Sequence, residues 1–287
     1  MTATLDAVRA WGRTVKLSHT LFALPFALSG AALAAAESGI TAGQLGWIVV
    51  AMFGARNSAM GFNRLADHEI DASNPRTAQR ELPAGRLARR QVWTMTVALA
   101  ALFVFAAFRL GPLCGWLSPV ALAVIFAYSY TKRFTWASHF ALGLGLALAP
   151  IGGWLAVAGT LDPVALLLGA TVLLWVAGFD VVYACQDVEF DRRAGLYSLP
   201  VRIGVGGALA VARWLHAAAL TAMAAVGVAA RLRPAYWLGW GAIALLLFSE
   251  HRLVRRDDLS QVGIAFFNRN AAIGAVYLAA ILAGLLL

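Results

Sequence analysis

Long runs of apolar residues alternate with polar breaks along almost the entire chain. A helix needs about 20 consecutive apolar residues to cross the hydrocarbon core of a bilayer, and most of these runs are close to that length. Charged and turn-forming residues are concentrated in the breaks. The pattern predicts nine transmembrane helices, at residues 20–38, 44–62, 91–110, 112–130, 138–158, 164–184, 206–230, 234–250 and 264–287.

The charged breaks all follow even-numbered helices. They lie near residues 63–90, 131–137, 185–205 and 251–263. Because every even-numbered helix exits on the same face, that face collects most of the Lys and Arg residues, and the positive-inside rule makes it cytoplasmic. We therefore predict a multi-pass protein of the cell inner membrane whose charged loops face the cytoplasm and whose C-terminus lies outside.

The N-terminal residues allow two interpretations. Arg9, Arg13 and Lys16 precede the apolar run Thr20–Ala36, an arrangement that resembles a secretory signal. The run is long enough to span a bilayer, and another apolar run follows it closely. A first membrane helix is the favoured interpretation, and its basic flank adds to the cytoplasmic face.

Composition agrees with an all-α integral membrane protein. Hydrophobic residues make up 61% and charged residues 13% of the 287 residues, and mean hydropathy is +0.74. Soluble domains are about 45–50% apolar and about 25% charged, so a soluble enzyme and a disordered chain are excluded. No segment is polar enough for a second domain, which predicts one polytopic membrane domain over 1–287. The net charge of +9 reflects the cytoplasmic loops, and no nucleic-acid partner is expected.

Half of the fourteen acidic residues fall in two short windows, 63–71 and 180–191. In the first window Asn63, Asp67 and Asp71 are spaced i, i+4 and i+8, which places them on one face of a helix. In the second, Asp180, Asp187 and Asp191 are spaced i, i+7 and i+11, again on one face, with Tyr183 and Gln186 beside them. Both windows are predicted at cytoplasmic ends of helices.

Stacked carboxylates destabilise a helix unless something offsets their repulsion. A hard divalent cation does so, and Mg²⁺ binds through a few carboxylates together with substrate phosphates. Basic residues near both windows indicate that the substrate is itself an anion, with a diphosphate as the best match. The candidate diphosphate ligands are Arg56, Arg76, Arg80, Lys132 and Arg133. The apolar runs beneath predict a lipid tail on this substrate.

The motifs resemble those of the UbiA superfamily of intramembrane prenyltransferases, in order over nearly the whole chain. The matching strings are Lys16-Leu-Ser-His-Thr-Leu-Phe-Ala-Leu-Pro25, Asn63-x3-Asp67-x3-Asp71, Asn74-Pro-Arg76-Thr77, Leu82-Pro-Ala-Gly85, Tyr128-x3-Lys132-Arg133 and Asp180-x2-Tyr183-x2-Gln186-Asp187-x3-Asp191. Two positions depart from the family pattern: Arg64 stands where Asp is common, and Glu81 where Pro is usual. Within the family, the strings are most similar to 4-hydroxybenzoate polyprenyltransferases and to the futalosine-route enzymes of menaquinone synthesis.

The resemblance implies a bundle of nine helices around a central cavity that opens to lipid and is capped on the cytoplasmic side. It implies Mg²⁺ held by Asn63, Asp67, Asp71, Asp187 and Asp191. Tyr128, Asp180 and Tyr183 would line the catalytic site together with Asp187 and Asp191. The implied reaction transfers a polyprenyl group from a polyprenyl diphosphate to the ring of an aromatic acid, in ubiquinone or menaquinone biosynthesis.

The expected chemistry is ionisation of an allylic diphosphate in a dry cavity, followed by ring attack and loss of a proton. Asp187 and Asp191 are the candidate bases. Aromatic side chains such as Phe22, Phe26, Phe62 and Trp175 are candidates for cation–π stabilisation, with ordinary helix packing as the alternative. The five histidines, at positions 19, 68, 139, 216 and 251, show no metal-ligand spacing and are assigned to packing.

Two rival functions place the acids elsewhere. A transporter would carry its carboxylates near the membrane midplane on broken helices, whereas these acids are predicted at helix ends. A CDP-alcohol phosphotransferase, another Mg²⁺-dependent lipid transferase, would carry its aspartates in one continuous segment, whereas Asp67 and Asp187 are 120 residues apart. The acceptor, the prenyl chain length and the oligomeric state stay open at this point.

Overall fold

Helices account for nearly all of the regular structure of the protein. The computed structural model describes residues 11–12, 14, 20–255, 258–264 and 269–287. Its helices are α1 (Thr20–Ser38), α2 (Ala42–Ala66), α3 (His68–Ser73), α4 (Arg89–Leu110), α5 (Pro112–Thr131), α6 (Ser138–Ala158), α7 (Pro163–Ala184), α8 (Val188–Arg193), α9 (Leu199–Ala229), α10 (Pro234–Leu253), α11 (Val262–Ile264) and α12 (Asn270–Leu286). Across these ranges the only extended pairing is a bridge between Arg255 and Asp258.

Each predicted apolar run coincides with one of the longer helices, and the differences lie at the ends. The seventh predicted run, 206–230, belongs to a helix that already begins at Leu199. This helix bends at Gly204, whose φ of 75° is open to glycine at little cost. The ninth run includes residues outside the described ranges, and its described part is α12. The N-terminal Arg9, Arg13 and Lys16 also lie outside those ranges.

Five helical segments within the described residues are long and apolar enough to cross a membrane. They are α4, α5, α6, the segment Pro163–Arg193 that contains α7, and α9. The helices α1 and α12 are also apolar but shorter over their described parts. In α2 the apolar sequence is interrupted by the polar residues Arg56, Asn63 and Arg64, whose side chains face a cavity.

The core is formed by α1, α6, α7, α9, α10 and α12 around the fully buried Trp175. The Phe26 ring lies 4.9 Å from the Trp175 ring, centroid to centroid. Small residues bring the helix backbones close together: Gly153 of α6 faces the backbone of Ala27 in α1, and Gly30 of α1 faces Pro150 in α6. Such contacts matter in a bilayer because lipid offers no hydrophobic drive to bring helices together.

Candidate active site

A cavity of about 660 Å³ lies between α1, α2 and α4–α7. Its greater part is apolar and includes Ile48, Met52, Phe103, Leu117, Val124, Leu148 and Leu155. Its polar end lies where α2, α5 and α7 end, at the loops that the sequence pattern placed on one face. The cavity therefore has apolar walls and, where these three helices end, a charged mouth.

The first acidic window ends α2 and forms α3, on one side of the mouth. Asn63 donates a hydrogen bond to Asp67 (3.0 Å), as expected for residues one helical turn apart. Asp67 also lies 3.7 Å from the Lys132 ammonium group. Asp71 accepts two hydrogen bonds from the Arg80 guanidinium group, both 2.7 Å long. Both carboxylates are buried, so these cationic partners offset a large desolvation cost.

The segment between α3 and α4 brings its arginines to the mouth. Thr77 donates a hydrogen bond to the backbone carbonyl of Asp71 (2.9 Å), which folds the segment back over the end of α3. Arg76 then donates to Asp187 (2.8 Å) and to the Tyr183 hydroxyl (2.8 Å). Burial alone would lower the pKa of Arg76, but the hydrogen bonds to Asp187 and Tyr183 raise it above its usual value. These contacts join the first window to the second.

The second window supplies the opposite side of the mouth. Asp187 lies in the single 3₁₀ turn that follows α7, where it also accepts a hydrogen bond from Asn74 (3.3 Å). Asp191 on α8 is buried and lies near Lys132 and Asp187. Asp180 lies seven residues before Asp187, about two turns deeper along α7. All three aspartates line the same cavity.

Two of the predicted diphosphate ligands, Arg56 and Arg133, do not lie at the mouth with the others. Arg56 lines the cavity seven residues before Asn63, two turns deeper on α2, and no hydrogen bond or ion pair joins it to another described residue. Arg133 does not line the cavity. It donates to the backbone carbonyl of Ala66 (2.6 Å) and to Asp67 (3.2 Å) from the outer side, and its guanidinium group lies over the Tyr130 ring.

The two departures from the family pattern have different surroundings. Arg64 is buried; it donates to Asn63 (3.2 Å) and lies 3.6 Å from Asp71. It therefore connects two predicted metal ligands. Glu81 pairs with Arg86 and does not line the cavity. The Glu81–Arg86 pair lies within the same loop that carries Arg80.

The histidine assignment requires a correction at position 139. His139 is buried, but it lines the cavity and forms a 2.7 Å hydrogen bond with Asp180. Sequence spacing offered no signal for this pair, because 41 residues separate the partners. His216 and His251 also pair, at 2.8 Å, away from the cavity lining.

The aromatic residues suggested for cation–π stabilisation pack elsewhere. Phe26 and Trp175 belong to the core, and Phe62 stacks on Phe126. The Phe22 side chain lies outside the described part of the structure. The cavity is instead lined by aromatic residues that the sequence pattern did not indicate, namely Phe103, Phe179, Phe190 and Tyr197, besides the predicted Tyr128 and Tyr183.

Three of the carboxylates at the mouth, those of Asp67, Asp71 and Asp187, are paired with separate cations. Among the described residues, no three His, Cys, Asp or Glu side chains are grouped closely enough to hold a metal ion by themselves. The donors that line the mouth are nevertheless oxygen atoms of Asp and Asn, the ligands that Mg²⁺ prefers. This donor set fits an ion that completes its coordination with substrate phosphates and water, not a cage made only of protein.

The chain is similar in sequence to known prenyltransferases. The model of the UbiA prenyltransferase family matches residues 23–272. A 4-hydroxybenzoate solanesyltransferase from Synechocystis is 36% identical over 84% of this chain and 82% of its own length. A 4-hydroxybenzoate octaprenyltransferase from Vibrio cholerae is 29% identical over 77% of this chain and 78% of its own.

Solved structures show the same fold. A UbiA homolog from Aeropyrum pernix superimposes with a TM-score of 0.85 at 34% identity, covering 92% of this chain and 97% of its own. A UbiA homolog from Archaeoglobus fulgidus, solved with GPP and Mg²⁺, gives a TM-score of 0.73 at 20% identity, covering 95% and 99%.

Proposed function

This chain belongs to the UbiA prenyltransferase family, and from that premise we propose that it transfers a polyprenyl group from a polyprenyl diphosphate to the ring of an aromatic acid. The acceptor is 4-hydroxybenzoate or a related quinone precursor, in ubiquinone or menaquinone biosynthesis. Its relatives from Synechocystis and Vibrio cholerae are 4-hydroxybenzoate prenyltransferases. The protein is an integral membrane aromatic prenyltransferase.

One observation carries the proposal: both acidic motifs and their basic neighbours meet at the polar end of a single apolar cavity. Arg76, in the loop that follows the first motif, pairs with Asp187 of the second, and Lys132 at the end of α5 pairs with Asp67 of the first. A diphosphate at this end would leave its prenyl chain beside the apolar walls. This arrangement matches the substrate in both charge and polarity.

The numbers of acidic and basic side chains that line the cavity support a diphosphate that binds together with metal cations. Among the described residues that line the cavity, five are acidic and five are Lys or Arg. A diphosphate alone would therefore enter a mouth with no excess of positive charge. We propose that Asn63, Asp67, Asp71, Asp187 and Asp191 hold Mg²⁺, which when bound supplies positive charge to the departing diphosphate. The Archaeoglobus homolog was solved with GPP and Mg²⁺.

The basic residues differ in the part of the substrate that they can reach. Arg76, Arg80 and Lys132 line the mouth and would exchange their carboxylate partners for diphosphate oxygens. Arg133, although predicted as a diphosphate ligand, would act through Asp67, which it contacts from outside the cavity. These exchanges keep each charged group paired before and after substrate binding.

The chain's own residues then direct the reaction. Arg76, Arg80 and Lys132 stabilise negative charge as the bond between the allylic carbon and the diphosphate oxygen breaks. The apolar walls exclude water, which would otherwise capture the carbocation. Tyr128 and Tyr183 line the site between the diphosphate end and the deeper cavity. The aromatic ring attacks through carbon, and a carboxylate removes the ring proton.

The acceptor carboxylate requires a cation away from the diphosphate. Arg56 is such a residue, because it lies two turns deeper than Asn63 and has no ion-pair partner in the described structure. We expect Arg56→Met to raise the KM for the aromatic acid at least about 10-fold, the loss expected for a charge-assisted hydrogen bond. The KM for the prenyl diphosphate should change little. Steady-state kinetics with each substrate varied in turn would measure both, and a selective rise for the prenyl diphosphate would contradict the assignment.

Membrane placement follows from the same loops. We propose nine membrane-spanning helices, a cap formed by α3, α8 and the segment between α3 and α4, and an active site facing the cytoplasm across the inner membrane. The basic residues of the loops after α2, α5 and α7 support this orientation.

The decisive experiment is a transfer assay with the purified protein in lipid. Polyprenyl diphosphates of several lengths would be incubated with a panel of aromatic acids and Mg²⁺, and the products identified by mass spectrometry. We expect a prenylated aromatic acid, and loss of product when EDTA removes the metal. Absence of any prenylated acid with every donor and acceptor would overturn the proposal.

A further inference from the structure

The deep part of the cavity contains an aspartate, Asp180, that is held differently from three of the aspartates at the mouth. Asp67, Asp71 and Asp187 each form an ion pair with Lys or Arg. Asp180 forms no such pair within the described structure, and its hydrogen-bond partner is His139. Its side chain is 24% exposed, and this exposed surface faces the cavity.

The hydrogen bonds around His139 determine which ring nitrogen carries the proton. The backbone N–H of Leu199, the first residue of α9, donates to Nε2 of His139 (3.2 Å). Nε2 must therefore present its lone pair, and the hydrogen of the neutral ring lies on Nδ1. Nδ1 donates to Oδ2 of Asp180 (2.7 Å). A free N–H at a helix start is thus used to fix both the tautomer and the orientation of this ring.

The result is a carboxylate with one oxygen fixed and the other available to a ligand. A hydrogen bond from a neutral donor stabilises the ionised form without adding a positive charge that would repel a carbocation. His139 itself is 2% exposed, so it supports Asp180 and offers little surface to substrate. This differs from Asp67, Asp71 and Asp187 at the mouth, each of which is paired with Lys or Arg.

Asp180 also lies at the right depth for the acceptor ring. It precedes Asp187 by seven residues on α7, and Arg56 precedes Asn63 by seven residues on α2. Both groups therefore lie about two turns below the proposed metal ligands Asp187 and Asn63. Tyr128 lies within electrostatic range of both Arg56 and Asp180. An aromatic acid with its carboxylate at Arg56 would present its ring near Asp180.

We infer that Asp180 accepts the ring proton of the acceptor, and that His139 is the positioning residue that holds it. The inference rests on the proposed aromatic prenyl transfer. In the step, the new carbon–carbon bond has formed and the diphosphate has left; the ring C–H bond then breaks, its electron pair restores aromaticity, and the proton goes to Asp180. No oxidant or reductant takes part.

The test is a deuterium isotope effect measured with an acceptor that carries deuterium at the reacting ring positions. In the unaltered enzyme, proton loss is expected to be fast, with no isotope effect on kcat. Asp180→Asn should lower kcat by about 10²-fold or more, the usual contribution of a positioned base, and should produce a primary isotope effect. A lowered kcat without an isotope effect would overturn the role of Asp180, because another group would then remove the proton.

A pair of substitutions separates positioning from simple packing. His139→Leu removes both hydrogen bonds and should lower kcat about 10-fold and produce the isotope effect, with little change in KM for the prenyl diphosphate. His139→Gln can again donate to Asp180 and accept from Leu199, so it should restore most of kcat. His216→Gln, a buried histidine outside the cavity lining, is the matched control. Equal impairment in His139→Gln and His139→Leu would overturn the positioning role.

Failure of this inference is distinguishable from failure of the proposed function. If the unaltered enzyme forms no prenylated aromatic acid, the proposed function is wrong and the inference falls with it. If it forms that product while Asp180→Asn shows no isotope effect, only the inference is wrong. Unchanged KM for the prenyl diphosphate in the variants confirms that the rest of the site is folded.

Discussion

Asp67→Ala and Asp187→Ala each abolish prenyl transfer, with an expected loss of at least about 10³-fold in kcat/KM. Removal of a single preorganised electrostatic contact often costs about 10²–10³-fold, and each of these residues has two roles. Each is a proposed metal ligand, and each is the ion-pair partner of a cation, Lys132 for Asp67 and Arg76 for Asp187. The measurement is product formation with labelled polyprenyl diphosphate at saturating Mg²⁺.

The chain provides matched controls two residues away. Glu69 is exposed on α3, and Glu189 is exposed on α8, where it pairs with Arg192; neither lines the cavity. Glu69→Ala and Glu189→Ala should therefore keep activity within about twofold, as expected for exposed charges. Equal loss in a control and in its neighbouring aspartate would show that net charge at the helix end, not the cavity ligand, is what matters. Full activity in Asp67→Ala or Asp187→Ala would refute the shared metal site.

Gly153→Ala destabilises the protein even though alanine is the better helix former. The added carbon would overlap the backbone carbonyl oxygen of Ala27 on α1, which cannot rotate away as a side chain can. Overpacking of this kind costs about 1–3 kcal/mol, sometimes more, and α1 would have to move away from α6. We expect a Tm several degrees lower, or poor accumulation in the membrane, by thermal unfolding in detergent with bound lipid.

A second Gly→Ala substitution, which should raise stability instead of lowering it, serves as the control. Gly46 lies in α2, where an added carbon meets nothing within 4 Å. Gly46→Ala should therefore raise stability slightly, because glycine costs about 1 kcal/mol relative to alanine in a helix interior. Gly30→Ala, which would overlap the Pro150 carbonyl on the same α1–α6 interface, should behave like Gly153→Ala. A neutral or stabilising Gly153→Ala would show that the two backbones are not tightly packed.

The helices and the two acidic faces could be predicted because their causes are local. A run of about 20 apolar residues has one stable structure in a bilayer, which is a helix. The i, i+4 spacing of Asn63 and Asp67 places both on one face, and the structure shows the hydrogen bond between them. The shared face of the charged loops follows from counting helices. Alternation of this kind does not depend on how the helices pack.

Adjacent basic residues show where local reasoning ends. Lys132 and Arg133 are neighbours in sequence, yet Lys132 lines the cavity and Arg133 contacts Asp67 from outside it. Successive residues at a helix end point in directions about 100° apart, so a motif that contains both cannot indicate which one faces the substrate. The sequence likewise could not show whether Phe26 and Trp175 face the cavity, and in the structure they pack against each other in the core.

The membrane class, the helices, the acidic motifs and the family could all be predicted from the amino-acid sequence, because each depends on residues near one another in the chain or on a pattern along it. The contact partners became known only from the folded structure: Arg76 with Asp187, 111 residues apart, and His139 with Asp180 and Leu199, 41 and 60 residues apart. Such contacts depend on how α2, α6, α7 and α9 pack, and that packing depends on side-chain shapes and small residues summed over many helices. Helix periodicity carries no information about those distances.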